Sequence, residues 1–392
     1  MAAVRQQAYR LGEGSRQQGL DMGIWLPALL LTGFGLVMVG SASIAIAEGM
    51  GYSPFHYLLR HSVFICMGCL LALSFRWLGS AHLEQISRPL ILLAILMLML
   101  PLVPGLGVEV NGSRRWIQLG PQRFQVVEAV KLLAIIYASG YLAQRAHLLK
   151  GGIMITLKPL IFAGLLAAIL MAQPDMGSAM VILGIIGGMV WLAGAPWRHL
   201  LVLGMTALPL LTFAAMEPYR LTRLKTFLDP WADPFNAGFQ LSQALIAVGR
   251  GELFGVGLGG SIQKLFYLPE AHTDFIFAVL AEELGLVGVI IVLLLFGMLV
   301  SRILLVGVMA HRAGKPFAGY IAYGIGLWLG LQVLISIGVN LGVLPTKGLT
   351  LPLISSGGSS LMMTIAAIGL TLRIKYELDS ERLAQPQRRV YG

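Results

Sequence analysis

Residues 275–300 read FIFAVLAEELGLVGVIIVLLLFGMLV, an apolar run interrupted only by Glu282 and Glu283. About 20 apolar residues in a helix cross a hydrocarbon core about 30 Å thick. This run exceeds that length, so it reads as a membrane-spanning helix. Nine further runs of the same kind surround it, at 24–46, 58–75, 89–104, 126–144, 159–173, 176–194, 198–216, 317–340 and 351–372. The runs at 89–104 and 159–173 are short, with Pro101, Pro104 and Pro174 at their ends. The three runs between 159 and 216 lie so close together that tight hairpins must join them, at Gln173-Pro174-Asp175 and Gly194-Ala195-Pro196. The expected fold is all-α: a polytopic membrane protein of ten transmembrane helices, with a large extracytoplasmic loop between the seventh and eighth.

Composition agrees. Of 392 residues, 57% are hydrophobic and only 12% charged, against about 25% charged in soluble domains. Too few charges remain to cover a soluble surface, and disorder, coiled coils and disulfide scaffolds are excluded. The net charge of +10 would suggest nucleic acid in a soluble protein. Here the positions of the charges carry the information, and no nucleic-acid partner is expected. Most of the 28 Lys and Arg fall on one side, while the short loops opposite hold only Arg114, Arg115, Arg123 and Lys347. By the positive-inside rule both termini are cytoplasmic and the long loop 217–274 lies outside. The organisation is a polar head (1–20), a membrane domain (21–375) and a polar tail (376–392), with head and tail expected to be poorly ordered. Cys66 and Cys69, the only cysteines, sit in an apolar run without a second pair and specify no metal site. There is no P-loop pattern and no strong internal repeat, which disfavours an ATP-driven machine or an inverted-repeat transporter.

Charged residues beside apolar runs single out a site. The outer loop 105–125 carries Arg114, Arg115 and Arg123, and Arg suits phosphate through its planar donor fork. Glu128 and Lys131 follow at i, i+3, on one face of the fourth helix. At membrane depth such charges must pair or face a wet cavity. Arg60, next to His61, marks the outer end of the second helix. In loop 217–274, residues 239–248 predict an amphipathic helix, and the glycines of 249–260 predict tight turns, since no βαβ context supports nucleotide binding. Asp274 either caps the eighth helix or faces the cavity as a base. Glu282 and Glu283, being adjacent, point apart and read as structural hydrogen-bonding groups. Gly357, Gly358 and the neighbouring serines permit close packing or a broken helix at the tenth span.

Four stretches, Asn111–Trp116, Phe124–Lys131, Leu268–Phe277 and Leu344–Ser360, together resemble the SEDS family of bacterial cell-wall polymerases (shape, elongation, division, sporulation), over roughly residues 24–375. The Leu344–Pro352 run is closer to the cell-division branch than to the elongation branch. Two positions depart from the family pattern: Val126-Val127 stand where it usually has Pro-Ser, and Ser356 where it has Tyr. The resemblance implies a peptidoglycan glycosyltransferase of the bacterial cytoplasmic (inner) membrane, at the division septum, with lipid II as substrate. It implies inverting transfer with Asp274 as general base, Lys131 lowering its pKa, and Glu128 as the alternative base. Arg60, Arg123, Arg114 and Arg115 would neutralise the pyrophosphate, and Gln125, Glu128 and Ser355 would line the cavity. No cofactor is implied with certainty. A divalent cation, magnesium or manganese, on the pyrophosphate is compatible with the chemistry, though no ligand cluster specifies one. Implied partners are a class B penicillin-binding protein (a transpeptidase), other division proteins and membrane lipids. Two rival readings use the same residues: a lipid II flippase, and a scaffold that recruits a transpeptidase without catalysis.

Overall fold

The structure, a computed structural model, describes residues 21–202, 204–205 and 218–390 apart from Asn111 and Pro121. Its elements in order are α1 (Met22–Gly49), α2 (His56–Ser74), α3 (Ser80–Ile86), α4 (Leu90–Met99), β1 (Gly107–Val110), β2 (Ser113–Leu119), β3 (Gln122–Gln125), α5 (Val126–Arg145), α6 (Ile153–Ala172), α7 (Met176–Leu192), α8 (Pro218–Leu228), α9 (Phe239–Arg250), α10 (Ile276–Arg312), α11 (Pro316–Asn340) and α12 (Gly358–Val390).

Among the described residues six helices are long and apolar enough to cross a membrane, and a seventh crossing is formed if α3 and α4 are one span bent by 71°. Helix α7 is apolar but only 17 residues long. The expected span 198–216 lies largely outside the described residues, and so does the head 1–20. The expected tenth span begins late: 351–357 is a non-helical segment and α12 starts at Gly358. That helix then continues from the apolar segment to Val390. Midway along α12, Glu377 accepts hydrogen bonds from Ser80 N (3.1 Å) and Ser80 Oγ (2.5 Å). It thereby serves the N-terminus of α3, whose own cap residue Gly79 has no side chain to offer.

Loop 105–125 departs from a purely helical chain by folding into an antiparallel sheet in the order β1-β2-β3. Two-residue connections join Val110 to Ser113 and Leu119 to Gln122. Strand alternation then decides which side chains face the protein. Ser113 is buried and bonds to the carbonyl of Gln173 (2.5 Å), whereas Arg114 points outward to Glu109 (3.1 Å).

Helix α10 is broken. Gly285 adopts φ 65°, ψ −167°, which interrupts the i→i−4 bonds, and the glycine-rich turn after α9 fills the gap. Val256 and Gly257 donate to the carbonyls of Glu282 (2.9 Å) and Glu283 (3.1 Å), while Leu286 and Val287 donate to those of Glu252 (2.9 Å) and Leu253 (3.1 Å). These bonds satisfy backbone groups that apolar surroundings would otherwise penalise. The side chains reinforce the join. Glu282 accepts from Arg250 (2.9 Å), Ser261 Oγ (2.5 Å) and Ile262 N (3.2 Å). Glu283 accepts from Lys264 (2.7 Å) and from Ser41 of α1 (2.7 Å). The two carboxylates are thus structural hydrogen-bonding groups. The amphipathic α9 forms as expected, with Leu241, Ala244 and Ala247 buried as it packs on α10.

The fit at the break generates a test. A Cβ on Gly255 (φ +79°) would lie 2.2 Å from the Glu283 carbonyl oxygen, whereas Gly259 (φ +82°) has open space around it. Gly259→Ala should cost only the left-handed backbone penalty, about 1–2 kcal/mol. Gly255→Ala should lower the melting temperature in detergent clearly further, and equal losses for the two variants would refute the docked turn.

Candidate active site

A cavity of about 930 Å³ opens between the sheet, the α6–α7 hairpin, α8, the start of α10 and the segment 345–360. Asp274 lies in its wall. The residue precedes α10, yet it does not cap it: the cap position is Phe275, without a side-chain bond. Asn340 at the end of α11 takes that role, accepting from Ala278 N (3.1 Å) and donating to the backbone carbonyl of Asp274 (2.9 Å). The carboxylate is left facing the cavity. A Cβ on Gly348 would come within 3.3 Å of its Oδ2, so the backbone of segment 345–360 lies directly against it. Burial, followed by the charge of Glu270, pushes the Asp274 pKa up to about 7, against the opposing pull of Arg115 and Arg223.

Three cations line the same cavity: Arg115, Arg223 and Lys347. Arg115 reaches the Asp175 carboxylate at 3.6 Å, and Asp175 caps α7 through Ser178 N (3.1 Å) and Oγ (2.8 Å). Arg223 donates to the carbonyl of Thr346 (3.0 Å) and Lys347 to Met176 Sδ (3.4 Å). Gln125, Thr350, Ser356, Ser359 and Ser360 supply polar surface, with Gln125 N donating to Ser359 Oγ (3.2 Å). On the neighbouring rim His272 packs its ring on Tyr57 (4.8 Å), and burial holds its imidazole below the ordinary histidine value.

The Glu128–Lys131 pair sits behind this surface rather than in it. Both are buried, at 3% and 1% exposure. Lys131 Nζ donates to Glu128 Oε1 and to Gln332 Oε1, both at 2.9 Å, and lies 4.8 Å from the centre of the Trp328 ring. Gln332 passes the connection on, donating to the carbonyl of Thr350 (3.0 Å) and to Ser360 Oγ (3.2 Å).

Of the residues singled out in the sequence, Asp274, Arg115 and Gln125 therefore meet at the cavity. Lys131 and Glu128 stand one layer beneath, so the expectation that Lys131 lowers the Asp274 pKa is corrected. Lys131 bonds elsewhere, and the pKa is raised. Ser355 is turned away, accepting from Leu351 N (2.7 Å), and its neighbour Ser356 takes the cavity wall. Arg114 is half exposed and paired with Glu109. Arg60 packs near the Phe64 ring (6.0 Å), and neither it nor the exposed Arg123 lines the cavity. Sequence reasoning missed Arg223, Gln332 and Glu270 as site residues. It had Lys347 only as a loop cation and motif residue, and Asp175 only as a hairpin residue. Among the described residues no group of three His, Cys, Asp or Glu side chains could hold a metal ion.

Comparison with known proteins adds the following. The FTSW_RODA_SPOVE family model, described as cell cycle protein, matches residues 22–380. The chain is 50% identical over 361 residues to the "Probable peptidoglycan glycosyltransferase FtsW" of Nitrosococcus halophilus, covering 91% of this chain and 92% of that one. It is 48% identical to the protein of the same name from Coxiella burnetii, covering 92% and 97%. Among solved structures it is similar to a chain of a peptidoglycan synthase complex that coordinates polymerization and crosslinking (TM-score 0.75, 33% identity, 92% and 98% covered). It is also similar to the rod shape determining protein RodA of Thermus thermophilus (TM-score 0.65, 32% identity, 91% and 97% covered).

The buried pair predicts an asymmetric mutational response. Lys131→Met strands an unpaired carboxylate and should cost about 3–5 kcal/mol. Adding Glu128→Leu should recover most of that loss in a detergent melting assay. A double variant no more stable than the single would show that the pair is not the source of the cost.

Proposed function

The chain belongs to the FtsW/RodA/SpoVE family of cell cycle proteins, and from that premise we propose that it polymerises lipid II with Asp274 as general base. It is an integral membrane protein and a peptidoglycan glycosyltransferase. The observation that carries the reading of the site is a half-buried carboxylate, in the wall of a large polar cavity, with Arg115, Arg223 and Lys347 around the same space.

The reaction joins the 4-hydroxyl of an acceptor sugar to the anomeric carbon of a donor held through an α-linked pyrophosphate. The acceptor oxygen attacks as its proton passes to Asp274, and the bond from the anomeric carbon to the pyrophosphate breaks. The linkage inverts to β, and no enzyme nucleophile is needed. A base with a pKa near 7 takes the proton better than an ordinary exposed aspartate and is still ionised often enough to act. Arg115, Arg223 and Lys347 are the cations placed to balance charge growing on the departing pyrophosphate. They replace Arg60, Arg114 and Arg123 in that role. A divalent cation would take its ligands from the pyrophosphate oxygens, and no step is assigned to it.

The similar peptidoglycan synthase complex supports a penicillin-binding protein as partner, and we assign this chain a class B transpeptidase, working with other division proteins at the septum. In this reading both termini lie in the cytoplasm and 217–274 outside. Phe235 in that loop is 84% exposed. A cysteine there should react with an impermeant thiol reagent on cells with a permeable outer layer, and labelling only after lysis would invert the topology.

The chemistry is tested by lipid II polymerisation with the protein reconstituted beside its transpeptidase. Wild-type kcat/KM should rise with pH through about 7, since only the ionised carboxylate accepts a proton. Asp274→Asn should lose about 10²–10⁴-fold in rate. Stability should move the other way. A folded pKa above the unfolded one means that charging Asp274 destabilises the fold as pH rises through about 7. The Asn variant should therefore melt higher than wild type at pH 8, and the difference should close towards pH 4. Normal glycan synthesis by Asp274→Asn would remove Asp274 as the base, and purified protein that moves lipid II without polymer would favour a flippase.

A further inference from the structure

We propose that Gln332 is a positioning residue for this reaction, tying the segment 345–360 to the Glu128–Lys131 pair so that its backbone is held against the Asp274 carboxylate. The inference rests on the glycosyltransferase reading of the same cavity. Gln332 is fully buried in α11. Its Oε1 accepts from Lys131 Nζ (2.9 Å) and Trp328 Nε1 (2.7 Å). Its Nε2 donates to the carbonyl of Thr350 (3.0 Å) and to Ser360 Oγ (3.2 Å). Both hydrogens and both lone pairs are used. The amide orientation is therefore forced, because reversal would set an NH₂ group against an ammonium and an indole N–H.

The geometry makes this more than a satisfied core amide. Thr350 and Ser360 both line the cavity. Between them, Ser356 N donates to the carbonyl of His272 (3.0 Å), and before them Arg223 holds the carbonyl of Thr346 (3.0 Å). Gly348, in the same stretch, is the residue whose backbone abuts Asp274. Of these ties, the Gln332 tie alone leads back to a buried charge, so it is stiffened from behind by Lys131. The charged groups acting on Asp274 are Glu270, Arg115 and Arg223, with Lys347, Asp175 and His272 on the surrounding elements. Gln332 touches none of them. Its loss leaves their charges in place and changes how closely the segment covers the carboxylate.

The consequence has a distinct signature. Burial is the largest cause of the raised Asp274 value. A loosened segment admits water, the carboxylate is better solvated, and its pKa falls. The acid limb of the polymerisation rate should then move to lower pH, although the rate itself drops.

The experiment compares full-length wild type, Gln332→Met, Gln332→Glu and Ser360→Ala, each reconstituted with the transpeptidase and assayed on lipid II from pH 5 to 9. Gln332→Met keeps the shape and removes all four bonds. Its kcat should fall about 10²-fold, the loss expected for a misplacement of about 1 Å, with a smaller change in KM. Gln332→Glu keeps the acceptor half and loses the donors to Thr350 and Ser360, and since its added negative charge opposes the fall of the Asp274 value, its limb should shift less than that of Gln332→Met while its rate also drops. Ser360→Ala, which removes one acceptor, should shift the limb in the same direction by less, and it carries the test if the Gln332 variants misfold. A wild-type limb position in every folded variant, or a rate loss that only tracks the folded fraction by melting, would overturn the role. Asp274→Asn is run in parallel. If it is inactive while the Gln332 variants behave as wild type, only this inference fails, and if it polymerises normally, the assignment of Asp274 itself fails.

Discussion

An ammonium and a carboxylate are buried one turn into α5, where little water can reach them, and much of the packing behind the cavity is arranged around that fact. Lys131 and Glu128 neutralise each other, but a lysine has three hydrogens to satisfy and an aromatic face and a glutamine must complete its shell. Both come from α11, which fixes how that helix crosses α5. Breaking such a pair is far more expensive than never having had it. Its retention here goes with a geometric output, since the glutamine that satisfies Lys131 also holds the floor of the cavity.

A second device lies in α10. Helix α10 is interrupted at Gly285, and interruptions inside apolar surroundings survive only when other groups take over the freed backbone bonds. The turn after α9 does this with four backbone hydrogen bonds, and Glu282 and Glu283 lock it with side chains from three other segments. The segment from Arg250 to Lys264 is thereby part of the packed structure. One result is that the chain leading into α10, which carries Asp274, starts from a fixed point.

Asp274 differs from the buried carboxylates around it in what it lacks. Glu282, Glu283, Glu128 and Asp175 each have a cationic partner. Among the described residues no salt bridge or side-chain hydrogen bond is seen at the Asp274 carboxylate, and Asn340 relieves it of the capping duty its position would suggest. A half-buried acid beside another acid, Glu270, is pushed towards neutrality. The site therefore keeps a proton acceptor of useful strength beside cations suited to an anionic leaving group, the two placed by different elements.

Much of this was legible in the chain. Apolar runs of the right length, few charges and the asymmetry of Lys and Arg dictate a polytopic membrane protein, because hydrocarbon admits helices and little else. Charges flanking those runs drew attention to Glu128, Lys131 and Asp274 for the same reason. Local signals also marked the hairpin at Gln173–Asp175 and the helix at Phe239. What the sequence could not show was partnership across long separations. Lys131 meets a glutamine 201 residues away, and Asn340 serves a helix start 62 residues earlier. Strand register chose Arg115 over Arg114 for the cavity, and the docking of α8 brought in Arg223, which no local pattern distinguished from other surface arginines. The folding of 105–125 into a sheet and the break at Gly285 also had to come from tertiary structure. Composition and periodicity report how each segment meets its solvent, whereas a site depends on which distant segments share the same few ångströms, and that is decided only when the helices pack.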